Sequence, residues 1–165
     1  MRWLYAILIF VTVLSQQPGG SIDVPQGATT ILTARGEGVQ IYSCAVAPEG
    51  AKWTLEGPDA RLLDAGGAQI GTHFAGPTWK LSDGSSVVGE LAASRPSPSA
   101  GSVAWLLLRA KAGSATGRLA QTAFIRRTET QGGVPPADEC RKATDTGKSV
   151  QVRYSATYTF YADRH

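Results

Sequence analysis

Apolar and polar positions alternate most regularly near the end of the chain. In residues 150–161, Val150, Val152, Tyr154, Ala156, Tyr158 and Phe160 fall on one face, and Gln151, Arg153, Ser155, Thr157 and Thr159 on the other. Period two sustained over this length predicts an antiparallel strand with one wet face. Gly38–Val46 and Lys52–Leu55 read as two further strands. Short β runs recur at Arg61–Leu63, Gln69–Phe74, Thr78–Leu81 and Ser86–Ala92. They are punctuated by Gly57-Pro58, Gly66-Gly67, Gly76-Pro77 and Asp83-Gly84. These dipeptides favour turns because Gly supplies positive φ, Pro presets φ and Asp tolerates the left-handed region.

Two segments, Val103–Lys111 and Leu119–Arg127, contain good helix formers. Each is short and carries no N-cap followed by a capping box, so both are read as strands, with Val103–Leu108 expected to be buried on both faces. The expected architecture is all-β: an antiparallel β-sandwich or a partly open barrel of about 8–10 strands. Arg95–Ser102 is a rigid polar connection. Thr130–Lys148 is long for a loop in a compact domain, a length that marks either function or disorder.

The N-terminus has a different pattern. Arg2 precedes an uncharged, mostly apolar stretch, Trp3–Leu14, and the polar, turn-forming Ser15-Gln16-Gln17-Pro18-Gly19-Gly20 follows. A basic start, a short apolar core and a small residue before a polar stretch describe a secretory signal peptide, residues 1–15 and at most to about 20. The apolar stretch is shorter than the ~20 residues that span a bilayer. An uncleaved anchor is the alternative. Cleavage leaves one domain, residues 22–161, with no membrane span and large enough for an independent core. The expected location is the periplasm or the extracellular space. Arg outnumbers Lys, Ala and Gly abound and Asn is absent, a bias that suits a GC-rich bacterial genome.

Cys44 and Cys140 are the only cysteines. Export places them in an oxidising compartment, where such a pair forms a disulfide. They lie close to 100 positions apart, a loop for which the chain-entropy model gives about 4.7 kcal/mol. The alternative is a redox dithiol, but that chemistry normally uses a close Cys-x-x-Cys pair, and none is present. The disulfide would staple the long loop to the strand around Cys44.

Several elements together resemble a known family. They are Gly38-Val39-Gln40-Ile41-Tyr42-Ser43-Cys44, Trp53, Gly71-Thr72-His73-Phe74-Ala75-Gly76-Pro77-Thr78-Trp79, Asp83-Gly84-Ser85 and Trp105-Leu106-Leu107-Leu108. Ile125-Arg126-Arg127, Gly132-Gly133 and Tyr154-Ser155-Ala156 complete the pattern. The chain is similar to an uncharacterised family of exported bacterial and fungal proteins, a domain of unknown function, over about residues 22–161. The resemblance implies a compact exported domain and lends no particular activity. Some fungal relatives carry the label malate dehydrogenase, but no Gly-x-Gly-x-x-Gly opens a βαβ unit here.

His73 is the one histidine inside the domain, His165 being the last residue. It is the candidate general base, with Asp64, Asp83 or Glu90 to orient it and Ser82, Ser85 or Ser86 as nucleophile. No Gly-x-Ser-x-Gly supports this, and Ser82–Ser86 reads as a hairpin turn. A catalytic zinc needs three protein ligands, and one internal His with two oxidised cysteines does not supply them. No calcium loop motif occurs. No metal and no cofactor are expected.

The net charge is +3, with 18% charged residues spread along the chain. That gives no footprint for nucleic acid. Aromatic residues make the binding case. Trp79, Trp53 and Tyr42, with Tyr161, are candidates for a ligand platform, since their rings offer large rigid contact area with a polar handle. Arg126 and Arg127 are neighbours on a strand, face opposite sides and form no patch. The expected function is therefore a non-catalytic binding or interaction module with a glycan or cell-envelope partner. The alternatives are a small secreted hydrolase centred on His73 and a structural envelope protein.

Overall fold

The structure, a computed structural model, describes residues 20–163. The expected signal peptide, residues 1–15, and His165 lie outside the described residues. Eight strands follow one another: β1 (Thr29–Ala47), β2 (Gly50–Leu63), β3 (Gln69–Phe74), β4 (Thr78–Leu81), β5 (Ser86–Arg95), β6 (Trp105–Gly113), β7 (Thr122–Gly132) and β8 (Ser149–Ala162). Each pairs antiparallel with its sequence neighbours, and β8 returns to pair with β1. The all-β antiparallel fold is thus a single sheet closed into a barrel. Closure removes the free edges that an open sheet would have to protect.

The β3, β4 and β8 expectations match the observed strands within one residue at each end. The two helix-like segments lie largely in strands, β6 and β7, but residues 103–104 and 119–121 fall outside them, the latter in a turn. Gly57-Pro58 is not a turn. β2 runs through it, and the register with β1 steps from Ile41↔Gly57 to Tyr42↔Leu55, so Glu56 is the extra residue of a β-bulge. Gly57, with φ 150°, allows the kink, and a bulge is a place where a sheet tolerates a proline.

Inward positions alternate with outward ones, and large inward residues are matched by small ones on facing strands. Trp79, Tyr158, Phe160 and Leu62 fill the interior with relative exposures of 0–1%. Burying each such side chain is worth about 1.5–3 kcal/mol. Small inward residues make the room. A Cβ on Gly36 would lie 2.5 Å from Cε2 of Tyr158, and one on Gly38 would lie 2.1 Å from the Asp59 carbonyl oxygen.

A second apolar cluster lies on the outside of the wall. The outward Leu107, Phe124 and Tyr161 are covered by Ile22 from the N-terminal segment. This is why Leu107 and Leu108, on opposite faces of β6, are both buried. Elsewhere large apolar residues stand exposed at Val46, Leu55, Phe74, Leu91 and Val134. Among the described residues no helix is long and apolar enough to cross a membrane.

The long loop is ordered by specific ties. It contains two short 3-10 helices, Ala137–Glu139 and Ala143–Asp145. Cys140 is bonded to Cys44, with 5.7 Å between the Cα atoms. Asp145 accepts hydrogen bonds from the Arg141 and Lys142 backbone N–H groups and from Lys148 Nζ. These bonds, that of Lys148 foremost, hold its carboxyl well below the usual carboxylate range.

Candidate functional site

Of the residues singled out in the sequence, His73 and Trp79 lie inside the barrel, Tyr42 and Trp53 tie down a loop, Tyr161 packs on the outer wall, and Ser82 and Glu90 are exposed. His73 on β3 and Trp79 on β4 are cross-strand partners on the inner face. His73 is 2% exposed and Trp79 1%. The His73 Nδ1–H donates to the Thr78 carbonyl at 2.8 Å. Burial lowers its pKa from 6.5 to about 4; the Thr78 bond opposes the shift and the Arg127 charge reinforces it. The ring is therefore neutral at pH 7. Asp64 and Asp83 spend their carboxylates on nearby turn N–H groups, and Ser85 Oγ donates to Asp83. No hydrogen bond joins His73 to a carboxylate or a serine among the described residues, so the pieces of a hydrolase are not brought together.

Trp79 presents no face to solvent, so it offers no surface platform. Trp53 is half-buried beside the disulfide and donates its indole N–H to the Pro136 carbonyl at 2.8 Å. The Tyr42 hydroxyl donates to the Gly133 carbonyl at 2.7 Å. Both polar handles hold the loop after β7 in place. Arg126 and Arg127 do face opposite sides. Arg127 points inward and donates twice to the Ala104 carbonyl, at 3.0 and 2.8 Å. Arg126 points outward and lies over the Tyr161 ring, 5.6 Å from its centre. Tyr154 and Tyr158 share a 3.2 Å hydroxyl contact, and burial raises both pKa values. They stay protonated at neutral pH. No group of three or more potential metal ligands occurs among the described residues.

Concave surface lies instead on the outer wall, where β1 meets β8. A depression of about 520 Å³ is lined by Arg35, Glu37, Arg61, Arg153, Gln131 and Ser155 among others. The register places Glu37 opposite Arg61 on one side and Ser155 on the other. Glu37 pairs with Arg35 at 2.9 Å and more loosely with Arg61 at 3.8 Å. A smaller depression of about 220 Å³ shares Arg35, Gln131 and Ser155 with the first and adds Glu129 and Thr157. A third, of about 340 Å³, shares Glu129 and reaches Arg126, Trp105, Arg95 and the N-terminal segment at Ile22 and Asp23. The first two share three residues and the third meets the second at Glu129, so the depressions lie in series along the outer wall from β2 across β1, β8 and β7 to β6. Along the series arginines outnumber carboxylates five to three.

A family model described as a protein of unknown function (DUF3455) matches residues 25–162. The chain belongs to that family. No curated protein and no solved structure matches it. The groove is therefore the feature of this DUF3455 domain that demands a functional account. Sequence reasoning placed Arg153 and Ser155 on a wet strand face, but it did not find the groove. Residues 35–39 and 153–157 become neighbours only because the barrel closes.

Proposed function

We propose that this protein is an exported, non-catalytic binding domain whose ligand is an extended acidic glycan of the cell envelope, laid along the outer-wall groove. The observation that carries this reading is the series of adjoining depressions along the outer wall with their five arginines. A long, shallow, net basic channel suits a chain of repeating anionic units better than a compact substrate. Guanidinium groups match carboxylates in fork geometry and are weakly hydrated, so they bind such groups well at a surface. Arg153 forms no ion pair among the described residues and is open to a ligand. Export is supported by the pattern of residues 1–15 and by the disulfide, which persists in oxidising compartments. The interior supports no catalytic reading, since His73 is neutral, shielded and without a proton-relay partner.

The test is calorimetric titration of the oxidised domain with oligogalacturonate and, separately, with malto-oligosaccharide of equal length. Binding of the acidic oligomer alone is expected, weakening as salt rises because exposed charges are screened. Arg61→Glu together with Arg153→Glu is expected to weaken it at least tenfold, which corresponds to about 1.4 kcal/mol. Absence of binding to the acidic oligomer, or binding that ignores the double charge reversal, overturns the reading.

A further inference from the structure

Two buried donors at the β6 end of the groove have no acceptor. Trp105 Nε1 and Arg126 Nε are both shielded from solvent and make no hydrogen bond. Both residues line the same 340 Å³ depression. Buried N–H groups without a partner are uncommon in folded proteins, and each asks for an explanation such as a missing ligand. Here two belong to residues that line one depression.

Their chemistry defines the acceptor that suits them. One donor belongs to a permanent cation, for which an anionic acceptor gives the stronger, charge-assisted bond. Arg126 lies over the Tyr161 ring at 5.6 Å from its centre, and Arg95 over the Trp105 ring at 4.8 Å. A stacked guanidinium keeps its N–H edges for acceptors in its own plane. Asp23 and Glu129 also line the depression. Two carboxylates disfavour a bare inorganic dianion and suit a ligand that also brings hydroxyl donors. Ile22 and the indole give apolar contact. The volume falls at the small end of ligand sites, which suits one sugar ring. Glu129 is the one non-glycine residue at positive φ among the described residues, at 50°. Backbone strain of this kind clusters at ligand sites.

We propose that this depression is the subsite for a hexuronic acid residue, with Arg126 and Trp105 donating to its carboxylate and with Asp23 and Glu129 accepting from its hydroxyls. The proposal rests on the glycan reading above and names the part of the groove that selects the acid.

The experiment compares trigalacturonate with its neutral methyl ester by titration against the wild type, Arg126→Gln, Trp105→Phe and the distant control Lys80→Gln. Trp105→Phe keeps a ring and removes only the N–H. Trigalacturonate is expected to bind wild type and control equally, and each of the two site variants at least tenfold more weakly. The methyl ester is expected to bind all four proteins with the same low affinity. The Trp105 indole N–H resonance of the wild type gives a readout that does not depend on a variant folding. Trigalacturonate is expected to move it downfield, and the ester to leave it in place. If trigalacturonate binds and responds to Arg61→Glu with Arg153→Glu, but neither site variant nor the indole resonance responds, the subsite is overturned while the groove reading stands. If no acidic oligomer binds, both fall.

Discussion

The imidazole of His73 lies flat on the indole of Trp79, with 4.4 Å between ring centres and 7° between planes. Tyr158 meets the pair edge-on from across the barrel, 4.9 Å from His73 and 5.5 Å from Trp79. The stack sits at the middle of the packed interior. Trp79 also meets Phe160 edge-on at 6.0 Å, and offset-stacked and edge-to-face contacts of this kind add about 0.5–1.5 kcal/mol beyond burial.

This placement makes His73 a determinant of acid stability. In the unfolded chain the ring takes up a proton near pH 6.5, and in the barrel only near pH 4. Between those values the unfolded state binds more protons, so stability falls as pH falls through the window and the loss levels off below it. A separation this wide corresponds to about 3 kcal/mol. Urea denaturation at pH 7 and pH 4 measures it. His73→Gln, which carries no titratable ring, is expected to lose correspondingly less over the same interval. Equal losses in the two proteins would sink the assignment. Asp83, whose pKa is lowered chiefly by its bond from Ser85, acts through a carboxylate and adds its effect at lower pH.

Gly36 and Tyr158 are matched in size across the β1–β8 seam. With 2.5 Å between a Cβ at position 36 and the ring, Gly36→Ala is expected to cost about 1–3 kcal/mol through overpacking. The double variant Gly36→Ala with Tyr158→Leu separates the clash from any backbone effect. A double-mutant cycle should show strong coupling, whereas plain additivity of the two changes would mean that the ring does not confine position 36.

How much of this was legible in the sequence follows from where each signal resides. The strands over residues 69–74, 78–81 and 150–161 announce themselves because their alternation and their flanking turn residues are local. β1 is legible only from Gly38 onward, since Thr29–Glu37 mixes small and charged residues whose inward positions, Ala34 and Gly36, make room for Tyr158. Gly57-Pro58 looks like a turn because the same residues serve a bulge. The disulfide is legible from cysteine count and compartment. The groove is not, because Arg35 and Arg153 are brought together by closure of the sheet. Trp105, with its unpaired N–H, reads as one more apolar residue of a core strand. His73 and Trp79 are conspicuous by residue type, but nothing in their spacing says that they face inward.

The Cys44–Cys140 bond ties the hairpin between β1 and β2 to the loop preceding β8. Around it pack Ala51 and Trp53, and the Gly147 N–H donates to the Cys44 carbonyl at 2.9 Å. Cys44→Ser with Cys140→Ser is expected to lower stability by about 2–5 kcal/mol, chiefly by releasing the unfolded chain from a long closed loop. Guanidinium denaturation of the oxidised wild type and the double variant gives the number. A loss near zero would mean that the loop's hydrogen bonds alone hold it.

Glu129 links stability to the groove. It sits where the β7–β8 register shifts between Thr128 and Gln131, and the Thr157 hydroxyl donates to its carboxylate at 2.6 Å. A side chain at φ 50° carries a steric cost of roughly 1–2 kcal/mol that glycine avoids. Glu129→Ala and Glu129→Gly both remove the carboxylate, but only glycine also relieves the backbone. Glu129→Gly is therefore expected to be the more stable of the two by about 1 kcal/mol, read from their denaturation midpoints at equal slope. If alanine proves as stable as glycine, the bulge relaxes freely and the backbone at this position stores nothing. The expected order would instead show that the bulge, with the Thr157 bond to the carboxylate, holds Glu129 against the preference of its own backbone.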